Sequence, residues 1–126
     1  MNAVNKPAIL LLGHGSRLVE ANESMYRVAS DLKATGQYLT VECAFLEIND
    51  PDIPTGLTNC LEMGATQIIV IPYFLHLGRH VQQDLPRIIA AWQNENPAPQ
   101  VILGQPFGYS PRLVELVQDR IGEALA

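Results

Sequence analysis

Two kinds of apolar pattern alternate along the chain. Residues 8–12 form a continuous apolar run (Ala8 to Leu12), the pattern of a strand buried on both faces. A tight turn over Gly13 to Ser16 follows. Met25, Val28, Ala29 and Leu32 then recur at helical spacing until Gly36 ends the segment. Leu39, Val41, Cys43 and Phe45 alternate with Thr40, Glu42 and Ala44, which predicts a strand with one less buried face, as at a sheet edge. Asp52 reads as an N-cap with Pro54 in the first turn, opening a helix whose stripe is Ile53, Leu57, Cys60 and Leu61 and which Gly64 closes. Gln67 to Ile71 is a second buried run, ended by Pro72. Val81, Leu85, Ile88, Ile89 and Trp92 make a third helical stripe. A break at Asn94 to Pro99 leads into a short strand, Val101 to Leu103. Ser110 and Pro111 are an N-cap and a first-turn proline before a last stripe of Leu113, Leu116, Val117 and Ile121.

The order is βαβαβαβα, which calls for an α/β three-layer sandwich: a four-stranded parallel sheet with helices on both faces. Right-handed crossovers and the two continuous runs favour the order 2-1-3-4, with the first and third strands central. The whole chain, 1–126, reads as a single domain. In such sheets ligands bind beyond the carboxyl ends of the strands where the order reverses, here between the first and third strands.

All three histidines fall on the two loops that should face that crevice: His14 after the first strand, His76 and His80 after the third. Singly, each has an ordinary structural reading. Together, on converging loops, they point to a site. Imidazole suits cobalt, iron, nickel and zinc, and two ligands would leave coordination positions open for a metal that must be handed on. Glu47, after the second strand, lies on the same rim. Arg17 and Arg79 are surface residues by default, but beside the crevice they become clamps for carboxylates.

The rest of the composition narrows the field. Eight Lys and Arg against 13 Asp and Glu give a net charge of −5, which argues against nucleic-acid or anionic-membrane partners. The two cysteines form no CxxC and read as half-buried thiols in a reducing compartment. The N-terminal apolar run is too short for a secretory signal or a membrane span, so the expected location is the cytoplasm. There is no P-loop, no HExxH and no GxSxG, and Leu18 stands where a GxGxxG would need its last glycine.

Three motifs resemble one family. Gly13 to Arg17 with Asn22, then Ala44 to Glu47 with Pro51, and above all Pro72, Phe74, Leu75, Gly78, His80, Asp84, Leu85 and Pro86 are similar to the short CbiX-type sirohydrochlorin cobaltochelatases and ferrochelatases. The resemblance implies a chelatase-like fold, related to half of a flavodoxin-like arrangement, and a homodimer. It implies that His14 and His80 bind a divalent metal as substrate, Co2+ favoured over Fe2+ and Ni2+, for insertion into the anionic tetrapyrrole sirohydrochlorin. Glu47 joins them as a catalytic residue: it or one of the histidines could take up the pyrrole protons, and its carboxylate could act as a weak third ligand. Ser16, Arg17, Phe74, Leu75, His76, Gly78 and Arg79 are the expected substrate-binding residues. No nucleotide, flavin or iron–sulfur cluster is expected. The competing readings are a non-catalytic metal or tetrapyrrole carrier on the same fold, and a flavodoxin-like phosphate or flavin binder.

Overall fold

The computed structural model describes residues 6–126. Eight elements alternate: β1 (Ala8–Gly13), α1 (Val19–Ala34), β2 (Thr40–Phe45), α2 (Ile53–Glu62), β3 (Gln67–Pro72), α3 (Arg79–Glu95), β4 (Gln100–Leu103) and α4 (Pro111–Leu125). The four strands form one parallel sheet in the order β2-β1-β3-β4, as expected. The helix starts are also those the caps announce. The Asp52 carboxylate accepts from the Thr55 N–H at 2.9 Å, and the Ser110 hydroxyl accepts from the Arg112 N–H at 3.2 Å.

Helical cover is unequal on the two faces. On one face α2 and α3 bury Ile53, Leu57, Leu85, Ile89 and Trp92 against Leu10, Leu12, Ile68 and Val70. Trp92 lies in the seam between these helices and donates its indole N–H to the Thr58 hydroxyl at 3.0 Å. On the other face α1 alone packs Met25 and Ala29 against Ile9, Leu11, Val41, Cys43 and Phe45.

This asymmetry corrects two expectations. β2 is the edge strand, yet both its faces are buried except at the half-buried Glu42, because α1 and α2 flank it from opposite sides. β3 is central, yet Gln67, Ile69 and Ile71 are only half-buried, because no helix lies over their face. The last helix is the reason. α4 forms where its stripe predicts, but it buries none of its residues and makes no extended contact with another element among the described residues. A further correction concerns Arg79 and His80. They open α3 instead of lying in the preceding loop, because the Gln82 N–H closes a helical turn on the Gly78 carbonyl at 3.0 Å.

Candidate functional site

The crevice lies where β1 and β3 end. Beyond Gly13 the β1–β2 pairing continues into the loops: the Leu46 N–H donates to the Gly13 carbonyl at 3.0 Å and the Glu47 N–H to the His14 carbonyl at 3.2 Å. This ladder sets the His14 and Glu47 side chains next to one another, with His14 Nε2 3.2 Å from Glu47 Oε1. Both are well exposed, 62% and 58%.

The loops beneath are tightly held. Gly15 has φ +102°, and a Cβ there would overlap the Glu47 carbonyl oxygen, so only glycine fits. The Ser16 N–H donates to Asn49 Oδ1 at 2.7 Å, and Asn22 Nδ2 reaches the Ser16 carbonyl at 3.5 Å. Ser16 Oγ accepts from the Leu18 N–H at 3.1 Å, which closes a local turn at the head of α1. On the Glu47 side, the Asn49 N–H bonds back to the Glu47 carbonyl at 2.7 Å across Ile48, whose φ is +71°. A β-branched residue in that region is strained, and such strain gathers at functional sites.

Two adjoining hollows share His14. One, of about 290 Å3, lies among Gly13, Ser16, Asn22, Met25 and Tyr73. The other, of about 190 Å3, is lined by His76, Leu77, Gly78 and Val81. His14 and Phe74 border both, their rings edge to face at 6.2 Å.

The structure thus brings together His14, Glu47, Ser16, Phe74, His76 and Gly78. Leu75 is on the same loop with its side chain exposed. His80 is exposed on the first turn of α3 and lines neither hollow. Arg17 and Arg79 are exposed, and neither is in an ion pair among the described residues. Among the described residues no three His, Cys, Asp or Glu side chains converge as a metal-binding group. Glu47 therefore stands as a partner of His14, not as part of a preassembled three-ligand set. Among the described helices none is long and apolar enough to cross a membrane.

Sequence reasoning missed Asn49 and Ile48. Asn49 gives no signal beyond a turn-forming residue type, and nothing in the sequence marks Ile48 for a positive φ.

Comparison with known proteins places the arrangement. The sirohydrochlorin cobaltochelatase of Methanopyrus kandleri is 29% identical over 138 residues, covering 94% of this chain and 96% of that one. The sirohydrochlorin ferrochelatase of Bacillus subtilis is 34% identical over 116 residues, covering 92% of this chain but 44% of that one. The crystal structure of the sirohydrochlorin chelatase SirB from Bacillus subtilis subspecies spizizenii, in complex with cobalt, superposes with a TM-score of 0.85 at 34% identity. That match covers 94% of this chain and 50% of that one. The chain therefore spans nearly the whole of the Methanopyrus relative and about half of the Bacillus ones. The family model for CbiX matches residues 8–124, and the chain belongs to the CbiX family.

Proposed function

We propose that this chain is a metal chelatase that inserts a divalent metal into sirohydrochlorin. The observation that supports it most directly is the exposed His14–Glu47 pair, 3.2 Å apart, at the switch point of the sheet beside a hollow that His76 also lines. Kinship with chelatases named for that substrate supports the same reading.

The chemistry needs few groups. The substrate ring offers four inward nitrogens, two of which lose protons as the metal enters. With its Nε2–H donated to Glu47, a neutral His14 presents the Nδ1 lone pair to the ion, and the carboxylate fixes the tautomer. His80 is the second ligand in this reading, reaching the ion from the head of α3. The Glu47 carboxylate then receives one pyrrole proton, and solvent water at this exposed site takes the other. Arg17 and Arg79, free of ion pairs among the described residues, meet the acidic arms of the ring. Two protons leave as one M2+ enters, so charge balances without redox chemistry. Cobalt is the favoured metal, although relatives carry both cobaltochelatase and ferrochelatase names. The acting unit is a homodimer in the cytoplasm.

The test is turnover. Purified protein with Co2+ and sirohydrochlorin should change the tetrapyrrole's visible spectrum faster than Co2+ alone. His14→Ala and His80→Ala should each slow this by about 100-fold or more while the ring still binds. Binding without acceleration would favour a carrier, and acceleration unchanged in both variants would remove these ligands from the reading. Parallel runs with Fe2+ and Ni2+ test the choice of cobalt.

A further inference from the structure

Phe107 lines neither hollow of the site, yet it touches two consecutive residues that do, Tyr73 and Phe74. The loop that begins at Tyr73 supplies Phe74, which borders both hollows, and His76, which borders one. Its start is fixed. The Tyr73 N–H donates to the Leu12 carbonyl at 2.8 Å, so the β1–β3 pairing reaches one residue past β3. Beyond Tyr73 the loop does not hold itself. Among the described residues no backbone bond joins one of residues 74–77 to another.

What holds it comes from the segment between β4 and α4. The Gly104 N–H donates to the Val70 carbonyl at 2.8 Å, which carries the β3–β4 pairing one residue past β4. The chain then leaves the sheet at Gln105 and Pro106 and returns to it. The Phe107 N–H donates to the Phe74 carbonyl and the Gly108 N–H to the Leu75 carbonyl, each at 2.8 Å. These bonds satisfy two carbonyls that the loop itself leaves unpaired. The Phe107 ring stands edge-on to Tyr73, with centroids 5.0 Å apart. Tyr73 walls the 290 Å3 hollow and also, with Phe107, a groove of about 340 Å3 on the bare face of the sheet. Phe107 is 41% exposed, so its ring adds little to the core.

We infer that Phe107 is a positioning residue for His14, acting through Phe74. Tyr73 is the fixed post. The Phe107 ring leans on it and so steadies residues 107 and 108. Their N–H groups hold the Phe74 and Leu75 carbonyls, and that sets the Phe74 ring. The Phe74 ring in turn meets the His14 imidazole edge to face at 6.2 Å. His14 is exposed, and its one side-chain polar contact among the described residues is with Glu47. The aromatic edge is its second restraint, and a ligand aimed by two contacts is held more closely than by one. The inference rests on His14 as a metal ligand, as in the proposed function. It adds a residue outside the site that decides how well that ligand is aimed.

The experiment titrates the full-length protein with Co2+ alone and separately times insertion into sirohydrochlorin. His14→Ala gives the affinity that remains without this ligand. Phe107→Ala should weaken Co2+ binding about 10-fold and lower kcat about 10-fold. KM for the ring should stay within about 2-fold, because Phe107 does not touch substrate. Phe107→Tyr keeps the aromatic ring and should match wild type. Phe74→Ala should lose at least as much as Phe107→Ala, and combining the two should change affinity and kcat by less than about 2-fold more. Protected β1 and β3 amides in hydrogen–deuterium exchange identify a folded variant. Phe107→Leu, with an expected loss of about 3-fold, replaces an alanine variant that fails this check. A folded Phe107→Ala or Phe107→Leu with wild-type affinity and rate overturns the inference. So do losses that multiply in the double variant, or a Phe107→Tyr as poor as the alanine. These results leave the chelatase reading standing. A wild type that binds Co2+ without inserting it refutes that reading, and the same comparisons in affinity then decide on Phe107. A wild type whose Co2+ affinity and insertion rate His14→Ala leaves unchanged overturns both.

Discussion

Gly15 offers a sharp test of how the site is held. An alanine at Gly15 meets two penalties. Its φ of +102° is a region that side-chain-bearing residues avoid, at a cost of about 2 kcal/mol. The new methyl would also overlap the Glu47 carbonyl oxygen, so the backbone must move by something on the order of 1 Å. We expect a total near 3 kcal/mol, or a fall in Tm of about 10 °C for a domain of this size. The same displacement separates His14 from Glu47, since the His14 carbonyl to Glu47 N–H bond lies beside the collision. Metal insertion should therefore fall on the order of 100-fold. Gly36→Ala is the control. Gly36 also has positive φ, +74°, but nothing lies within 4 Å of the added Cβ. It should cost only about 1 kcal/mol and leave insertion untouched. Thermal unfolding and the spectrophotometric assay read both quantities. If Gly15→Ala inserts metal at the wild-type rate, the argument that this crowded turn sets the His14–Glu47 geometry is wrong.

Two further outcomes follow from the titrating groups. The Thr55 side chain and backbone N–H hold the Asp52 carboxyl below its ordinary value. A depressed carboxyl stabilises the fold above its unfolded pKa, near 3.9, and loses that contribution as pH falls through the lower folded value. Asp52→Ala should cost about 1 kcal/mol in urea unfolding at pH 7, with the gap to wild type closing below about pH 4. Burial pushes the Cys43 and Cys60 thiols up to about 11 and about 12, so an aromatic disulfide reagent at pH 8 should label neither in the native protein and both in urea. Rapid native labelling of either would contradict its buried placement.

The strand order and the element sequence were legible because period, caps and crossover handedness all agree. Leu10 and Leu12 had to face a core, and Asp52 and Ser110 had to start helices. Burial by face was less legible. A continuous apolar run such as Ile68 to Ile71 marks β3 as a strand but does not tell which helix covers it, and here the helix that could do so stands away. In the site, His14 and Glu47 were readable from their positions one and two residues past the ends of their strands. His80 was harder, since a helix started by a glycine without a side-chain cap gives little warning of where the loop ends. Ile48 was invisible, because its strained turn is imposed by the pairing of neighbouring loops and not by its own preference.

The seam between α2 and α3 has a practical corollary. The single tryptophan is 6% exposed and bonded to Thr58, on the face of the sheet opposite the bare groove. Its emission is an optical gauge of one half of the molecule only. Denaturation that opens this seam will register, whereas loosening of the last helix or a rearrangement of residues 13–17 will leave the signal dark. A fluorescence melt alone would thus report the protein as intact while its C-terminal segment had already come free.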